Sequence, residues 1–509
     1  MWWEGIDPVE IFTGLATVLS DPVLMGWVFL AAIVGMIVGA IPGLTASAAI
    51  AMLLPLTFYM EPLPALAFLY VIGKSGRYGG SIAAILFNTP GTAASAATQL
   101  DGYPLAQEGK AGKAMKVATL SSVIGDFIGE VLLILGVAWI AAIALKLGPP
   151  ELFAVYFAAF IVIGSVIGKS VTRGLASAAL GVLVSMIGLD PISSTERFTF
   201  GSFDLTNGIS LVPLMIGIFV LGEVFDQIQT RHTRTQMVPD TGDTTRNGLR
   251  WAEYKPCLPH VIRSSFIGAF IGMLPGLGSA IAAFVAYGEG KRRAHNSAAW
   301  GQGALEGVAA PEAANNAVSG PSMAPLLTLG IPGSTIGAIL IGVFLIHGIQ
   351  IGPTLFLTSR DLVYALFACG LIGIVMYGVI GYFGAAFLGR FIVRIPTAVL
   401  YPVIFLTSFI AAYTARGNLF DVYVMVAAGF TGWAMRKLDF NPAAFVISFV
   451  LAGGAEETFR QALLLSDDGM MIFITRPIAL AFLLIGVTAL IARVRSLRRQ
   501  ARVPAMGDT

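Results

Sequence analysis

The chain has 509 residues, 56% of them apolar and only 12% formally charged, and its mean hydropathy is +0.82. Soluble domains carry about a quarter charged residues, so 31 basic and 29 acidic side chains cannot clothe a water-soluble body of this size. That excludes a soluble enzyme and a disordered chain, a net charge of +2 gives no field for nucleic acid, and a polytopic membrane protein remains.

In chain order, residues 1–22 read as an interfacial segment. They hold Glu4, Asp7, Glu10 and Asp21, and the first basic residue of the chain is Lys74. The N-terminus is therefore expected outside, with Trp2 and Trp3 at the lipid interface. It lacks a basic n-region, so no secretory signal is expected. Residues 23–228 form a first membrane repeat, with apolar stretches near 23–41, 45–60, 62–73, 78–100, 114–144, 151–168, 172–189 and 208–228. A polar loop at 229–257 carries Arg231, Arg234, Arg246, Arg250 and Lys255. A second repeat fills 258–492, with stretches near 261–287, 301–330, 333–350, 362–389, 395–414, 418–435, 441–455 and 471–492. The tail at 493–509 carries Arg493, Arg495, Arg498, Arg499 and Arg502. Loop, tail and the segment holding Lys110, Lys113 and Lys116 are expected in the cytoplasm. Period-2 alternation is missing, so the fold expected is all-α, with about ten to twelve crossings and re-entrant or broken helices.

The two halves echo one another. GMIVGAIPGL begins at Gly35 and GAFIGMLPGL at Gly268, an offset of 233. FNTPGT ends at Thr92 and LGIPGS at Ser334, an offset of 242. Self-similar halves with interrupted apolar segments mark secondary transporters, and the charge bias around the halves points to inverted repeats. Lys291, Arg292 and Arg293 resist that reading if 261–290 is one crossing, and fit it if that stretch is a re-entrant hairpin.

The chemistry concentrates in two charge-free stretches, 78–100 and 313–359. Asn88, Thr89, Pro90, Gly91 and Thr92 interrupt the first, and Gly330, Pro332, Gly333, Ser334 and Thr335 the second. Proline removes a backbone donor, glycine frees the dihedrals, and each unpaired main-chain group in lipid costs several kcal/mol. A helix restarting after Pro-Gly aims amides and a positive dipole end at that point, which suits a carboxylate. A plain proline kink is the alternative for either break alone. Carbonyls freed at Pro42-Gly43 and Pro275-Gly276, with Thr45, Ser279, Asn88 and Thr89, are candidate ligands for a small hard cation such as Na⁺. Asn315 and Asn316 either contact substrate or ion, or cap a helix break at Pro311. Glu306 and Glu312 are candidates for cation attraction or proton coupling. Asp126 and Glu130 share a helical face, as a proton relay or, more simply, in pairs with Lys116 or interfacial arginines. Lys74 and Arg77 either steer an anion or anchor at headgroups.

Other motifs fail. Gly73-Lys74-Ser75 lacks the P-loop's earlier glycine, where Phe68 stands. Ala317-Val318-Ser319-Gly320 lacks the first glycine of a rhomboid-type serine motif, so Ser319 is expected to pack helices. Cys257 and Cys369 are expected to be inert thiols, and no catalytic set, metal cluster or ATPase motif is found, so no enzyme and no cofactor is expected.

The pattern resembles the large membrane subunit of the bacterial tripartite tricarboxylate transporters. The resemblance rests on GAIPGLTASAAIAMLLPLTF from Gly39, YGGSIAAILFNTPGTAASAATQLDGYPLAQEGKA from Tyr78, GMLPGLGSAIAAFVAYGEGKR from Gly272 and GVAAPEAANNAVSGPSMAPLLTLGIPGSTIGAILIGVFLIHGIQIGPTLF from Gly307. It implies a multi-pass inner-membrane carrier that works with a small membrane subunit and a periplasmic solute-binding protein. The cargo would be an organic carboxylate (di-, tricarboxylate or aromatic acid), taken up with Na⁺ or H⁺. A channel, or a carrier without partner subunits, is the alternative.

Overall fold

The computed structural model describes residues 8–41, 45–166, 170–190, 192–229, 247–393, 397–467 and 469–500. Trp2, Trp3, Pro42, Gly43, Arg231, Arg234, Arg246 and Arg502 lie outside the described residues, as do the side chains of Arg498 and Arg499.

Helix dominates. Among the described residues the extended pairing is one antiparallel ladder of Gly188–Leu189 with Glu196–Arg197. Leaving aside single turns, the helices are α1 (Pro8–Ser20), α2 (Pro22–Ala40), α3 (Ala46–Leu53), α4 (Pro62–Phe87), α5 (Ser95–Gln107), α6 (Ala111–Ala144), α7 (Pro149–Val166), α8 (Val171–Ser185) and α9 (Leu211–Gln229). The second half adds α10 (Leu258–Gly272), α11 (Gly278–Arg293), α12 (Leu305–Ala317), α13 (Met323–Leu329), α14 (Thr335–Ile346), α15 (Arg360–Val393), α16 (Thr397–Arg416), α17 (Leu419–Lys437), α18 (Pro442–Leu464) and α19 (Pro477–Gln500). Local chemistry sets several starts. Asp21 accepts from the amides of Val23 and Leu24 and precedes Pro22, and Asn441 accepts from Ala444 ahead of Pro442.

Among the described residues, five helices are long and apolar enough to cross a bilayer: α2, α6, α9, α15 over Arg360–Ala385, and α19 over Pro477–Arg495. Their outer faces stay apolar. Phe127, Leu135 and Trp139 on α6, and Val375, Val379, Phe383 and Phe387 on α15, are all exposed. Such surfaces belong in hydrocarbon, and the molecule is an all-α polytopic membrane protein.

The chain divides into two compact units, residues 1–142 with 212–433, and residues 143–211 with 434–509. In the first unit α4 is the hub, buried at every position from Ala65 to Phe87. Glycines bring α2 onto it: a Cβ on Gly39 would lie 2.1 Å from the Gly76 carbonyl oxygen, and one on Gly35 would lie 2.6 Å from that of Ile72. The second half makes the same contacts between α10 and α12. A Cβ on Gly272 would lie 2.8 Å from the Val318 carbonyl oxygen, and one on Gly268 would lie 2.3 Å from that of Ala314. These residues stand at the offsets of 233 and 242 read from the motifs.

α10 and α11 are 15 and 16 residues long, pack on one another and join through the turn at 273–277. Each arm is about 23 Å, short of a roughly 30 Å hydrocarbon core, which favours the hairpin alternative for Lys291–Arg293. The start of α6 is tied to the 247–257 segment. Lys113 Nζ pairs with Glu253 at 2.6 Å, and Lys116 Nζ donates to the Asn247 carbonyl oxygen at 3.1 Å. The Lys113 hydrogen bond, helped by the Arg250 backbone amide, holds Glu253 down at about 2.

The second unit packs α18 against α7 and α8, and α19 against α7. It carries a four-charge network, with Arg197 on Glu456 at 2.7 Å and Arg460 on Asp190 and Glu456 at 2.8 and 2.6 Å. Backbone donors at Ser193 and Ile192 hold the Asp190 carboxyl well below the usual range.

Candidate substrate and ion site

Both breaks end a helix in the same way. α4 stops at Asn88 with φ 55° and α13 at Gly330 with φ 70°, left-handed caps that asparagine and glycine tolerate best. The two residues stand 242 positions apart, the repeat offset. After each break the chain restarts. Ser334 caps α14 by accepting from the Gly337 amide at 3.2 Å. Before α5, the Thr92 hydroxyl accepts from the Ser95 amide at 3.2 Å and the Ser95 hydroxyl from the Thr92 amide at 3.1 Å.

Both breaks seat on one face of α4. The Gly91 amide donates to the Gly80 carbonyl at 3.2 Å, and a Cβ on Gly80 would lie 2.8 Å from Thr92. A Cβ on Gly73 would lie 3.1 Å from Ile336, in the first turn of α14. Gly73 and Gly80 are seven residues apart, so the two seats are about 10 Å apart along the helix. Arg77 stands between them on that face. It is 7% exposed, and its Nη1 donates to Ser319 Oγ at 2.7 Å. Among the described residues no carboxylate lies within ion-pair distance of it. With Tyr70, Ser322 and Ser334 it lines a narrow cleft of roughly 10 Å³, room for about one water.

One turn before Arg77, Lys74 is fully buried and serves two carboxylates from α6, Asp126 at 2.6 Å and Glu130 at 2.8 Å. Tyr70 donates to Glu130 at 2.7 Å and Tyr377 to Asp126 at 3.1 Å. One turn after Arg77 on α4, Ser81 donates to Glu312, which also accepts from the hydroxyls of Thr98 and Ser122. Asn316 Nδ2 donates to Ser122 Oγ at 2.9 Å. Asp101 on α5 gathers the entry of α12, accepting from the amides of Gly301, Gly303 and Ala304 at 2.8–2.9 Å.

The other sequence candidates have quieter surroundings. Asn88 is exposed and its Oδ1 accepts from Gln99 at 2.6 Å, while Thr89 donates to the Phe87 carbonyl at 3.2 Å. Pro332 and Gly333 are buried, and the Gly276 amide donates to the Gly333 carbonyl at 3.2 Å, tying that break to Pro275-Gly276. Thr45 caps α3 through the Ala48 amide at 3.2 Å. Ser279 and Thr335 lie half-buried in the first turns of α11 and α14, and Glu306 in that of α12.

Several open alternatives close. Lys74 and Arg77 do not anchor at headgroups, because both are buried in the hub helix. Asp126 and Glu130 pair with Lys74, not with Lys116 or interfacial arginines. Asn315 and Asn316 cap no break, since α12 runs unbroken through Pro311. Ser319 does more than pack: it receives Arg77. Tyr70, Ser81, Thr98, Asp101, Ser122 and Tyr377 escaped the sequence reading. A lone hydroxyl in an apolar helix carries no signal of its own, although Arg77 and Ser319, 242 apart, were findable from the repeat offset.

Comparison with known proteins bears on identity. Residues 25–447 match the model of the tripartite tricarboxylate transporter TctA family. The chain is 35% identical over 491 residues to the "Uncharacterized 52.8 kDa protein in TAR-I ttuC' 3'region" of Agrobacterium vitis, covering 95% of this chain and 96% of that one. It is 35% identical over 242 residues to the "Uncharacterized protein in TAR-II ttuC' 3'region" of the same organism, covering 46% of this chain and 99% of that one. No solved structure matches. A family match across residues 25–447, on an all-α membrane fold whose two halves repeat their helix contacts, establishes that the chain belongs to the tripartite tricarboxylate transporter TctA family.

Proposed function

We propose that the chain is the large membrane subunit of a secondary carrier importing an organic carboxylate by symport with a cation. It sits in the bacterial inner membrane with its N-terminus in the periplasm and its C-terminus in the cytoplasm. A small membrane subunit accompanies it, and a periplasmic solute-binding protein delivers the cargo. The two halves are inverted repeats, and rigid-body motion of the unit that holds the two Pro-Gly breaks alternates access.

Arg77 carries this reading. It is a buried guanidinium whose partner is a neutral hydroxyl, set between two helix breaks and beside the capped start of α14. A buried guanidinium with no carboxylate at ion-pair distance is under-compensated, and a substrate carboxylate would give it a direct charged partner. The planar fork takes a carboxylate through two parallel hydrogen bonds, and the free amides at the start of α14 add donors and a positive dipole end. The cleft is too small for a whole acid, so it must widen to admit one.

The test is uptake of a panel of radiolabelled di-, tri- and aromatic carboxylates by cells expressing all three components. Accumulation that needs an imposed Na⁺ or H⁺ gradient, and that falls in Arg77→Gln and in a Pro332-Gly333 to Ala-Ala variant, supports the carrier. Full uptake by both variants at normal expression defeats the site, and passive equilibration without accumulation defeats the carrier.

A further inference from the structure

Glu312 is the mirror image of Arg77: a buried carboxylate without a cation. It is fully buried, and among the described residues no lysine or arginine lies within ion-pair distance. Lys74 is taken by Asp126 and Glu130, and Arg77 ends on Ser319. What surrounds Glu312 is oxygen. The hydroxyls of Ser81 on α4 and Thr98 on α5 meet its Oε1, and that of Ser122 on α6 meets its Oε2 at 2.8 Å. All three are at most 1% exposed. One turn along α12, Asn316 donates its Nδ2 to Ser122, while its Oδ1 has no hydrogen-bond partner. The neighbouring Asn315 has no partner for either amide atom, although it is 1% exposed. Orphaned amide oxygens at this depth are expensive and point to a missing ligand.

We propose that Glu312, Ser81, Thr98, Ser122 and the Asn316 amide oxygen form a binding site for one sodium ion. The donor set is hard oxygen throughout, with no imidazole or thiolate, which selects alkali and alkaline-earth ions over transition metals. A single carboxylate matches a single positive charge, whereas divalent sites recruit more carboxylates or retain water. Each hydroxyl that donates to Glu312 keeps at least one lone pair for a metal, Ser122 having given one to Asn316. A proton alone would neutralise Glu312 but leave the Asn316 amide oxygen without a partner.

The repeat supplies a second argument. Lys74 stands 242 positions before Asn316, and Tyr70 stands 242 before Glu312. One half therefore has a built-in ammonium where the other has an amide whose oxygen lacks a partner, and a phenol where the other has the carboxylate. The site exists once per chain, and the stoichiometry expected there is one Na⁺.

The proposal gives the coupling ion of the carrier reading, but it is measured without substrate. The experiment is binding of ²²Na⁺ to the purified full-length chain, with melting followed in NaCl, KCl and choline chloride at equal ionic strength. We expect saturable binding of one ion and a rise in melting temperature specific to NaCl. Glu312→Gln abolishes both, and Thr98→Ala and Ser122→Ala, which remove one hydroxyl each, weaken binding by about tenfold or more. The alanine variants keep the test open if Glu312→Gln does not fold. Absent saturable binding, equal effects of KCl and choline, or wild-type affinity in both alanine variants would overturn the site. A protection that follows pH and ignores Na⁺ would assign the position to a proton and overturn it as well. Na⁺ binding without carboxylate uptake would leave the site standing and remove the carrier reading; uptake without Na⁺ binding would do the reverse.

Discussion

Arg77 donates to Ser319 at 2.7 Å, and the two residues occupy the same position in the two halves of the chain, 242 apart. If the halves are the inverted repeats proposed above, a contact between equivalent residues lies on the axis that relates them. The helix breaks then fall on either side of it, at Gly73 and at Gly80 of the same helix face.

Removing the guanidinium should therefore cost more than removing its hydroxyl partner. A hydrogen bond to a buried charge contributes about 1.5–3 kcal/mol, so Arg77→Gln should weaken substrate binding by about 10- to 100-fold. Ser319→Ala should cost less, because the carboxylate replaces that partner on binding. Arg77→Lys should not rescue, since an ammonium cannot present two parallel donors. Half-saturation concentrations for uptake, measured at matched expression, check all three.

Glycine substitutions should separate the two breaks. A Cβ on Gly91 would lie 2.1 Å from the Gly39 carbonyl oxygen and 2.8 Å from the Gly80 Cα, so Gly91→Ala forces backbone to move. A Cβ on Gly333 would meet nothing nearer than the Ser322 carbonyl oxygen at 3.2 Å. Overpacking costs about 1–3 kcal/mol, so Gly91→Ala should lower the melting temperature and Gly333→Ala should barely do so. Detergent-solubilised melting curves decide it.

Lys74→Met should be severely destabilising. It leaves Asp126 and Glu130 buried without their cation, a change worth about 3–5 kcal/mol. The triple variant with Asp126→Asn and Glu130→Gln removes the charges together and should recover much of the loss. Yield of folded protein by size-exclusion chromatography measures both. Equal yields for the single and triple variants would contradict the charge argument.

The Lys113–Glu253 pair predicts a pH dependence. Glu253 is held at about 2 in the fold, against 4.5 for the free group. A depressed carboxyl binds fewer protons folded than unfolded, so its contribution is present above 4.5 and is lost as pH falls towards 2. In Lys113→Met that window should narrow, and the acid-side fall in melting temperature between pH 5 and 3 should become shallower. The pair is partly solvated, with Lys113 13% and Glu253 23% exposed, so the effect is modest.

Cys257 and Cys369 are both fully buried. Neither should react with a maleimide in the native protein, and both should react after denaturation, as intact-mass spectrometry would read. Labelling of the folded chain would place one of them on an accessible path.

Much of this was legible beforehand, for identifiable reasons. Proline and glycine act locally, so the breaks at Asn88–Thr92 and Gly330–Thr335 could be placed to the residue, and Ser334 could be seen as the start of a new helix. Partnership across helices was another matter. Lys74 and Asp126 are 52 positions apart and Ser81 and Glu312 are 231 apart, and no period in the sequence joins them. For Lys74 and Arg77 the sequence leaves anion steering and headgroup anchoring open, because a charged side chain is usually at the edge of a membrane, and burial excludes the anchor. Their burial follows from α4 being covered on every side, a property of the assembled bundle and not of the segment.

The pairing of Arg77 with Ser319 has one more consequence. In a carrier built from two identical halves, the inward-open and outward-open forms would have equal energy, and nothing in the protein would favour either. Here the shared position holds a charge in one copy and a hydroxyl in the other, so exchanging the roles of the halves is not energetically neutral. On the carrier reading proposed above, the empty protein then prefers one resting orientation, and this position contributes to that preference together with Lys74 against Asn316 and Tyr70 against Glu312.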